Sequence, residues 1–262
     1  MVRYSVIVPG REVAEMFARR LGELYEVLGS LGAPFEILCV DDCSSAATTG
    51  ALRSLLTDHD DLRVIQLDRP GGLDAALSAG IAAAAGDVLI VIEAGERYFY
   101  EDIPRLVGRL SRADLVCGCR RHGRLIKTLR AVSQFPRSLL LGRLVHDPSC
   151  LFWVARREAL ARLELAPGMR RYLPWLVTMR GFRVCQLHVA HRWHAASPQL
   201  SDAWPNPADL LTVWWQSRRA RPRIATQLRS QPQRDLHGRV LRIDPPQRPG
   251  GRVESPEVRV ES

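Results

Sequence analysis

Residues 35–47 read FEILCVDDCSSAA, and they are the most informative segment for predicting the fold. Its apolar part, 35–40, has the length and composition of a buried β-strand, and two adjacent carboxylates, Asp41 and Asp42, follow it directly. In open parallel sheets the ligand crevice lies beyond the carboxyl ends of the strands, so acids at that position are placed to meet a ligand. The alternative is an acidic turn or a helix cap, because Asp and Ser are common in both.

Short β-rich runs recur through the first half of the chain, at residues 4–8, 35–40, 62–67, 87–92 and 114–119. Apolar residues with helical spacing lie between them, from Met16 to Leu28 and in the alanine-rich stretch 73–85. Strands that alternate with helices need crossover connections. The pattern therefore predicts an α/β fold, with a mostly parallel sheet covered by helices on both faces.

The length of 262 residues suits one α/β domain of about 200 residues with an appendage. We expect the domain to span 1–196, an appended segment to span 197–230, and a disordered tail without periodicity to span 231–262. Within the appended segment, residues 208–220 (ADLLTVWWQSRRA) predict an amphipathic helix. This helix either docks on the domain or lies on a membrane with its two tryptophans at headgroup level.

The formal net charge is +9, and all basic residues except Lys127 are arginines, so composition bias explains much of the excess. A nucleic-acid partner is not expected, because aromatic and basic residues do not interleave on one face. Neither a membrane span nor a secretory signal is readable, which predicts a cytoplasmic protein. Six cysteines without C-x-x-C spacing predict small buried side chains rather than disulfides or zinc ligands.

Read in order, several motifs resemble the family-2 type glycosyltransferases, most closely the polyprenyl-phosphate (dolichol-phosphate) mannosyl- and glucosyltransferase branch. The family's V-D-D-G-S appears as VDDCSS (40–45), and its R-N-x-G, A-L-x-x-G and A-x-G-D appear within DRPGGLDAALSAGIAAAAGD (68–87). Further counterparts are SVIVPGRE (5–12), IEAGERYFYEDIP (92–104), DLVCGCRRHGR (114–124), HDPSCLFWVARREAL (146–160) and RYLPWLVTMRGFRVCQLHVAHR (171–192). Such an unbroken order is far more specific than any single motif. The resemblance implies a GT-A type, Rossmann-like nucleotide-sugar fold.

The resemblance also implies which residues bind the nucleotide-sugar donor and the acceptor. Asp42 would pair with an imino N–H of the base, and Asp147 would act near the acceptor as a base or as a positioning group. A turn cap is the alternative role for Asp147. The implied donor-binding residues are Pro9, Glu12, Asp41, Asp42, Arg69, Gly71, Arg120, His191 and Arg192.

A divalent cation, Mg²⁺ or Mn²⁺, is implied by the family's D-x-D motif, whose acids hold the ion that takes charge from the leaving diphosphate. At these positions the chain has Glu93 and Gly95, so one acid is replaced and the other is lost. Glu96 is adjacent and is the substitute ligand expected. Solvated loop acids that bind nothing are the alternative.

Two functions of different class remain open from the sequence. The first is an inverting glycosyltransferase that moves a hexose from a nucleotide-sugar to a polyprenyl phosphate or related acceptor, peripheral to the membrane. The second is a catalytically impaired relative that binds nucleotide or a protein partner as a regulator or scaffold. A nicotinamide oxidoreductase is disfavoured, because no G-x-G-x-x-G follows the first strand.

Overall fold

The computed structural model describes residues 2–57, 59–94, 98–120, 145, 147–161, 163, 165 and 168–191, and two short strands nearer the carboxyl terminus. Its strands are β1 (Tyr4–Gly10), β2 (Phe35–Asp41), β3 (Leu62–Leu67), β4 (Val88–Ile92), β5 (Leu115–Arg120), β6 (Phe152–Arg156), β7 (Val184–Val189), β8 (Leu241–Ile243) and β9 (Val258–Val260). The α-helices are α1 (Ala14–Gly29), α2 (Ala46–Leu55), α3 (Gly72–Ala83), α4 (Ile103–Arg109), α5 (Arg157–Leu160) and α6 (Leu173–Met179), with 3₁₀ turns at Tyr100–Asp102 and Met169–Tyr172.

The described strands form one sheet in the order β7-β5-β6-β4-β1-β2-β3-β8-β9. Strands β1 to β5 and β7 all point the same way, and β6 runs antiparallel between β4 and β5. The prediction of a mostly parallel α/β sheet is therefore confirmed, and its five predicted strands are β1 to β5. The carboxyl ends of these parallel strands share one edge of the sheet.

The alternation of side chains along buried strands explains why both faces carry helices. In β1, Val6 and Val8 pack with α1, α2 and α4 on one face, whereas Ile7 packs with α3, α5 and α6 on the other. All three side chains are fully buried. A strand that is buried on both faces reads as a continuous apolar run, which is the signal that the sequence shows.

The small residues of α3 let this helix approach the sheet closely. A Cβ on Gly80 would overlap the side chain of Ile7 and would lie 3.1 Å from Cγ2 of Val40. At the amino edge, a Cβ on Gly86 would lie 2.8 Å from the backbone nitrogen of Ser5. Gly80 ends the A-L-x-x-G motif and Gly86 lies in the A-x-G-D motif, both within residues 68–87. In the structure both glycines permit close packing.

Two short strands come from the segment that was predicted to be a disordered tail. Backbone pairing places β8 parallel to the last three residues of β3, and β9 antiparallel to β8. The rest of that segment lies outside the described residues, as does the predicted helix at 208–220. The proposed division at 196 and 230 therefore stays a prediction.

Candidate functional site

Two neighbouring strands end together at the carboxyl edge and bring the first predicted acids into one place. Gly10, the last residue of β1, lies opposite Asp41, the last residue of β2. The N–H of Asp42 then donates to the carbonyl of Gly10 over 2.9 Å. Pro9 is buried in this ladder, and because the pairing of β1 with β4 stops at Ile7, its missing N–H interrupts no bond to that strand.

Asp41 shapes the loop that follows β2. Its side chain is fully buried and accepts bonds from the hydroxyl of Ser44, from the N–H of Ser44 at 3.3 Å and from the hydroxyl of Thr49 at 3.4 Å. A buried carboxylate is stable only when such donors replace water. The structure thus gives Asp41 a loop-forming role within the predicted site.

Asp42 connects this loop to the one after β3. One carboxylate oxygen accepts the N–H of Gly71 at 2.7 Å and the other accepts the N–H of Gly72 at 2.9 Å. Gly72 has a φ of +76°, a conformation that glycine adopts at no steric cost. Asp42 therefore acts as a helix cap, the alternative role considered from the sequence, at the start of the distant helix α3. Both oxygens of this residue, which was predicted to bind the nucleotide base, already accept a bond from the protein.

Glu12 closes the same pair of loops from the β1 side. Its carboxylate accepts the N–H of Ser45 at 2.6 Å, the hydroxyl of Ser45 at 3.1 Å and the hydroxyl of Thr48. These bonds, with that of Thr48 the largest, hold the pKa of Glu12 below its ordinary value. The side chain is exposed, so a ligand at this edge can reach it.

Two backbone conformations in these loops are unusual for their residue types. Glu12 and Cys43 both have a φ of +55°. Cys43 stands where the family motif V-D-D-G-S has glycine, and the left-handed conformation accounts for the glycine in that motif. The structure therefore supports the alignment of VDDCSS on which Asp41 and Asp42 were predicted.

The remaining donor-side predictions lie in the loops after β3 and β4. Arg69 is exposed between β3 and α3, two residues before Gly71, whose amide donates to Asp42. Glu93 is half-buried directly after β4, whereas Gly95 and Glu96 lie outside the described residues. In the part of the chain that the structure describes, no three His, Cys, Asp or Glu side chains cluster so as to hold a metal.

A buried ion pair occupies the end of β5. Arg120 donates from Nε to Asp147 Oδ2 at 2.6 Å and from Nη2 to Asp147 Oδ1 at 2.8 Å, and its backbone N–H reaches Oδ2 at 3.2 Å. The side chains of Arg120 and Asp147 are 12% and 0% exposed. Burial lowers the pKa of Arg120, but the bonds and the charge of Asp147 outweigh it and leave the pKa above its ordinary value.

Residues that the sequence reasoning missed support this pair. Ser149 accepts a bond from Arg120 at 2.8 Å and donates one to Asp147 at 3.1 Å. The hydroxyl of Tyr98 accepts the N–H of Leu151 at 3.3 Å in the segment that follows Asp147. Gly118 in β5 leaves room there, because a Cβ would lie 2.7 Å from the carbonyl of Phe152. Tyr98, Gly118 and Ser149 all lie in segments quoted for the family resemblance, but only Ser149, two positions after Asp147, was close in sequence to a predicted site residue.

His191 reaches the same edge from the end of β7. It is half-buried and forms an isolated antiparallel bridge with Tyr98. The preceding residue, Ala190, donates its N–H to Asp102 at 2.7 Å, which fixes the exit of β7. Arg192 lies outside the described residues. The described predicted residues thus occupy the ends of β1, β2, β3, β4, β5 and β7 along one edge.

All six cysteines lie in the described part of the chain, and all are free. Cys39, Cys117, Cys119 and Cys150 are buried, and Cys43 and Cys185 are half-buried. Four of the six are therefore buried, as predicted, whereas Cys43 and Cys185 are only half-buried. No helix in the described part of the chain has the length and apolar character that crossing a bilayer requires.

Comparison with proteins of known sequence yields relatives that act on lipid phosphates. The chain is 29% identical over 201 residues to a dodecaprenyl-phosphate galacturonate synthase of Rhizobium johnstonii, covering 72% of this chain and 60% of the relative. It is 28% identical over 196 residues to an undecaprenyl-phosphate 4-deoxy-4-formamido-L-arabinose transferase of Pseudomonas paraeruginosa, covering 71% and 57%. The chain therefore matches about three fifths of the length of these relatives, and the branch predicted from the motifs is theirs.

Solved structures with the same fold come from nucleotide-sugar enzymes. The glucosyl-3-phosphoglycerate synthase of Mycobacterium tuberculosis, in complex with Mn²⁺, UDP and phosphoglyceric acid, has a TM-score of 0.61 at 22% identity, covering 81% of this chain and 78% of that one. A mannosyltransferase of Pyrobaculum calidifontis with GDP-Man and Mn²⁺ has a TM-score of 0.56 at 20% identity, covering 75% and 58%. At this identity the likeness establishes the GT-A type fold.

The family model described as glycosyl transferase family 2 matches residues 5–164. That span contains the loops after β1, β2 and β3 that Glu12, Asp41 and Asp42 hold together, which we call the donor-side loops. It also contains the end of β4 and the Arg120–Asp147 pair. Its match agrees with the motif order, the sheet topology and the solved structures. The chain belongs to glycosyl transferase family 2.

Proposed function

We propose that the protein transfers a hexose from a nucleotide-sugar to a polyprenyl phosphate or a related lipid phosphate. In this reaction the bond from the anomeric carbon to the donor diphosphate breaks, and a bond to an oxygen of the acceptor phosphate forms. The nucleoside diphosphate leaves. The observation that carries the proposal is the shared edge, where the three loop-forming acids lie on one side and the Arg120–Asp147 pair on the other.

The donor-side loops are proposed to bind the nucleoside diphosphate. Glu12, Asp41 and Asp42 bind backbone N–H groups and hydroxyls within these loops, so the loops keep their shape before a ligand arrives. Preorganised loops lower the free energy cost of ordering a site on binding. Arg69 is exposed beside them and is placed to neutralise phosphate charge.

The Arg120–Asp147 pair is proposed to lie on the acceptor side. A phosphate oxygen is already nucleophilic at neutral pH, so no strong base is required. Asp147, whose oxygens are held by Arg120 and Ser149, would position the acceptor rather than deprotonate it. Arg120 would act chiefly by holding Asp147, and His191 and Arg192 are proposed to close on the donor from the end of β7.

The protein side chains at the end of β4 fit a divalent cation only if the substrate supplies most of the metal ligands. Mg²⁺ typically uses one or two carboxylates together with substrate phosphates and water. Glu93 at the end of β4 would be the one described protein ligand, and Glu96 would be the second. Such an ion would take part of the charge that develops on the leaving diphosphate.

The test is a transfer assay with UDP- and GDP-hexoses and undecaprenyl phosphate in detergent, with Mn²⁺ or with EDTA. We expect lipid-linked sugar with the wild type and less of it after Glu93→Ala, whereas Gly95→Asp should strengthen the metal-dependent binding of donor. The matched control is Glu26→Ala, an exposed acid of α1. Nucleotide binding without any transfer in all variants would instead favour a non-catalytic, nucleotide-binding role.

The reaction would take place at a membrane surface, because a polyprenyl chain stays in the bilayer by hydrophobic burial at about 0.8 kcal/mol per CH₂ group. The protein is therefore proposed to be cytoplasmic and peripheral to the membrane. Its partners would be the nucleotide-sugar and the lipid phosphate.

A further inference from the structure

A basic groove lies outside the candidate site, between α4 with the turn that follows it and strand β7. Its volume is about 420 Å³, and Arg105, Arg109 and Arg112 line it together with Gly108 and Leu187. The three arginines are spaced by four and then three residues, so they follow one face of the helix and its continuation. We call this feature the α4 groove.

The positive charge of the α4 groove is only partly compensated. Arg105 binds Asp102, whose other oxygen accepts the N–H of Ala190 at 2.7 Å. Arg109 and Arg112 are exposed, and neither side chain has an acidic partner among the described residues. Asp114, the next acid along the chain, is occupied by Arg183 at 3.3 Å and by Arg156 at 3.6 Å.

The α4 groove is structurally connected to the acceptor side of the candidate site. Asp102, just before α4, fixes the exit of β7 through its bond to Ala190. Along the paired strands, Val189 of β7 lies opposite Arg120 of β5, the partner of Asp147. The groove therefore begins beside the carboxyl edge, at Asp102, and α4 with the turn that follows it carries Arg109 and Arg112 from there toward the amino ends of β5 and β7.

We propose that the α4 groove docks the protein on the anionic phospholipid headgroups of a membrane surface. The proposal rests on the proposed function, because an acceptor held in the bilayer requires the enzyme to work at that surface. Guanidinium groups bind phosphate oxygens in bidentate geometry, and the two uncompensated arginines supply that chemistry. Leu187 and the methylene stems of the arginines complete an amphipathic lining suited to a headgroup. No aromatic side chain lines the groove for stacking on bases, which disfavours a nucleic acid.

The test is sedimentation of the full chain with vesicles that contain no polyprenyl phosphate. One set is phosphatidylcholine alone and the other is equimolar phosphatidylcholine and phosphatidylglycerol. A basic side chain strengthens binding to an anionic surface about fivefold, so Arg109→Gln/Arg112→Gln should bind the anionic vesicles roughly 30-fold more weakly. Arg19→Gln/Arg53→Gln, on exposed faces of α1 and α2, removes the same charge and should change binding by less than about threefold.

Equal loss of binding in both double variants would overturn the proposal, because it would show a general effect of net charge. Binding to plain phosphatidylcholine that matches the anionic vesicles would also overturn it, as would tighter binding of a single-stranded oligonucleotide that depends on Arg109 and Arg112. Transfer to a short-chain, water-soluble acceptor phosphate separates the two proposals. If the wild type binds anionic vesicles through the α4 groove but transfers no sugar to that acceptor, the proposed function fails and the docking surface stands.

Discussion

The donor-side loops and the end of β5 both place carboxylates at the carboxyl edge, but they stabilise them differently. Glu12, Asp41 and Asp42 accept bonds from backbone N–H groups and hydroxyls, and in the described part of the chain none of the three has an arginine within ion-pair distance. Asp147 is compensated by a guanidinium that is itself almost buried. Acids of the first kind define the shape of a loop, whereas the second kind forms a charged unit whose halves depend on each other.

The largest expected effect comes from breaking the buried pair. Arg120→Met leaves Asp147 charged and buried without its cation, which should lower the free energy of unfolding by about 3 to 5 kcal/mol. Arg109→Met, the same change at an exposed arginine without an acidic partner among the described residues, should stay within about 0.5 kcal/mol. Urea unfolding followed by circular dichroism measures both.

The double variant Arg120→Met/Asp147→Asn sharpens this prediction. Because it removes both charges, it should recover part of the loss seen for Arg120→Met alone. If Arg120→Met is no less stable than Arg109→Met, then Asp147 does not need Arg120 for its stability. The proposed difference between this ion pair and the donor-side acids would then be wrong.

The next effect comes from the junction between the two donor-side loops. Asp42→Asn replaces one carboxylate oxygen by an N–H₂ group facing a backbone donor, so the free energy of unfolding should fall by about 1 to 3 kcal/mol. Nucleoside diphosphate binding should weaken too, because the Gly71 turn is released. Calorimetry measures both, and Asp60→Asn, at an exposed acid, is the control. Unchanged stability together with lost nucleotide binding would mean that Asp42 acts on the ligand directly.

A smaller effect on stability is expected when a lowered pH protonates the Glu12 carboxylate. Its pKa lies below the ordinary value of 4.5 because Thr48 and then Ser45 bind its ionised form. A lowered pKa stabilises the fold above the unfolded value and loses that contribution as the pH falls through the folded value. The protection of the Ser45 amide against hydrogen exchange should therefore drop below pH 4.5, with a midpoint beneath it. Glu12→Gln should remove the pH dependence, and a wild-type midpoint above 4.5 would contradict the assignment.

The smallest expected effect is the selective modification of cysteines by a thiol reagent. Burial, and then the charge of Asp41 for Cys39 and of Asp147 for Cys150, raises the pKa of both thiols to about 12, so both should stay unmodified at pH 8 in the folded protein. Cys43 is half-buried in the loop after Asp42 and should react. A nucleoside diphosphate should slow that reaction if the donor-side loops bind it. Mass spectrometry after limited labelling locates the modified residue, and Cys43→Ser serves as the control.

Much of the fold was predictable because buried parallel strands leave a strong local signal. The runs that became β1 to β5 were identified within about two residues, as were the helices α1 and α3. Strands β6 and β7 were missed as strands although their segments were quoted, since the antiparallel insertion of β6 between β4 and β5 depends on contacts far apart in sequence. The glycines of the motifs were visible, but their close approach to Ile7 and Ser5 was not.

The family, the α/β class and the identity of the acids at the carboxyl edge follow from the sequence, because motif order and apolar periodicity are local properties of the chain. The groups that those acids bind depend on tertiary contacts. Asp42 accepts bonds from amides some thirty positions away, at Gly71 and Gly72, and Asp147 binds Arg120 across a similar separation. Hydrogen bonds of this kind require strands to be paired and loops to be closed, and no spacing along the sequence encodes which donor a buried carboxylate will meet.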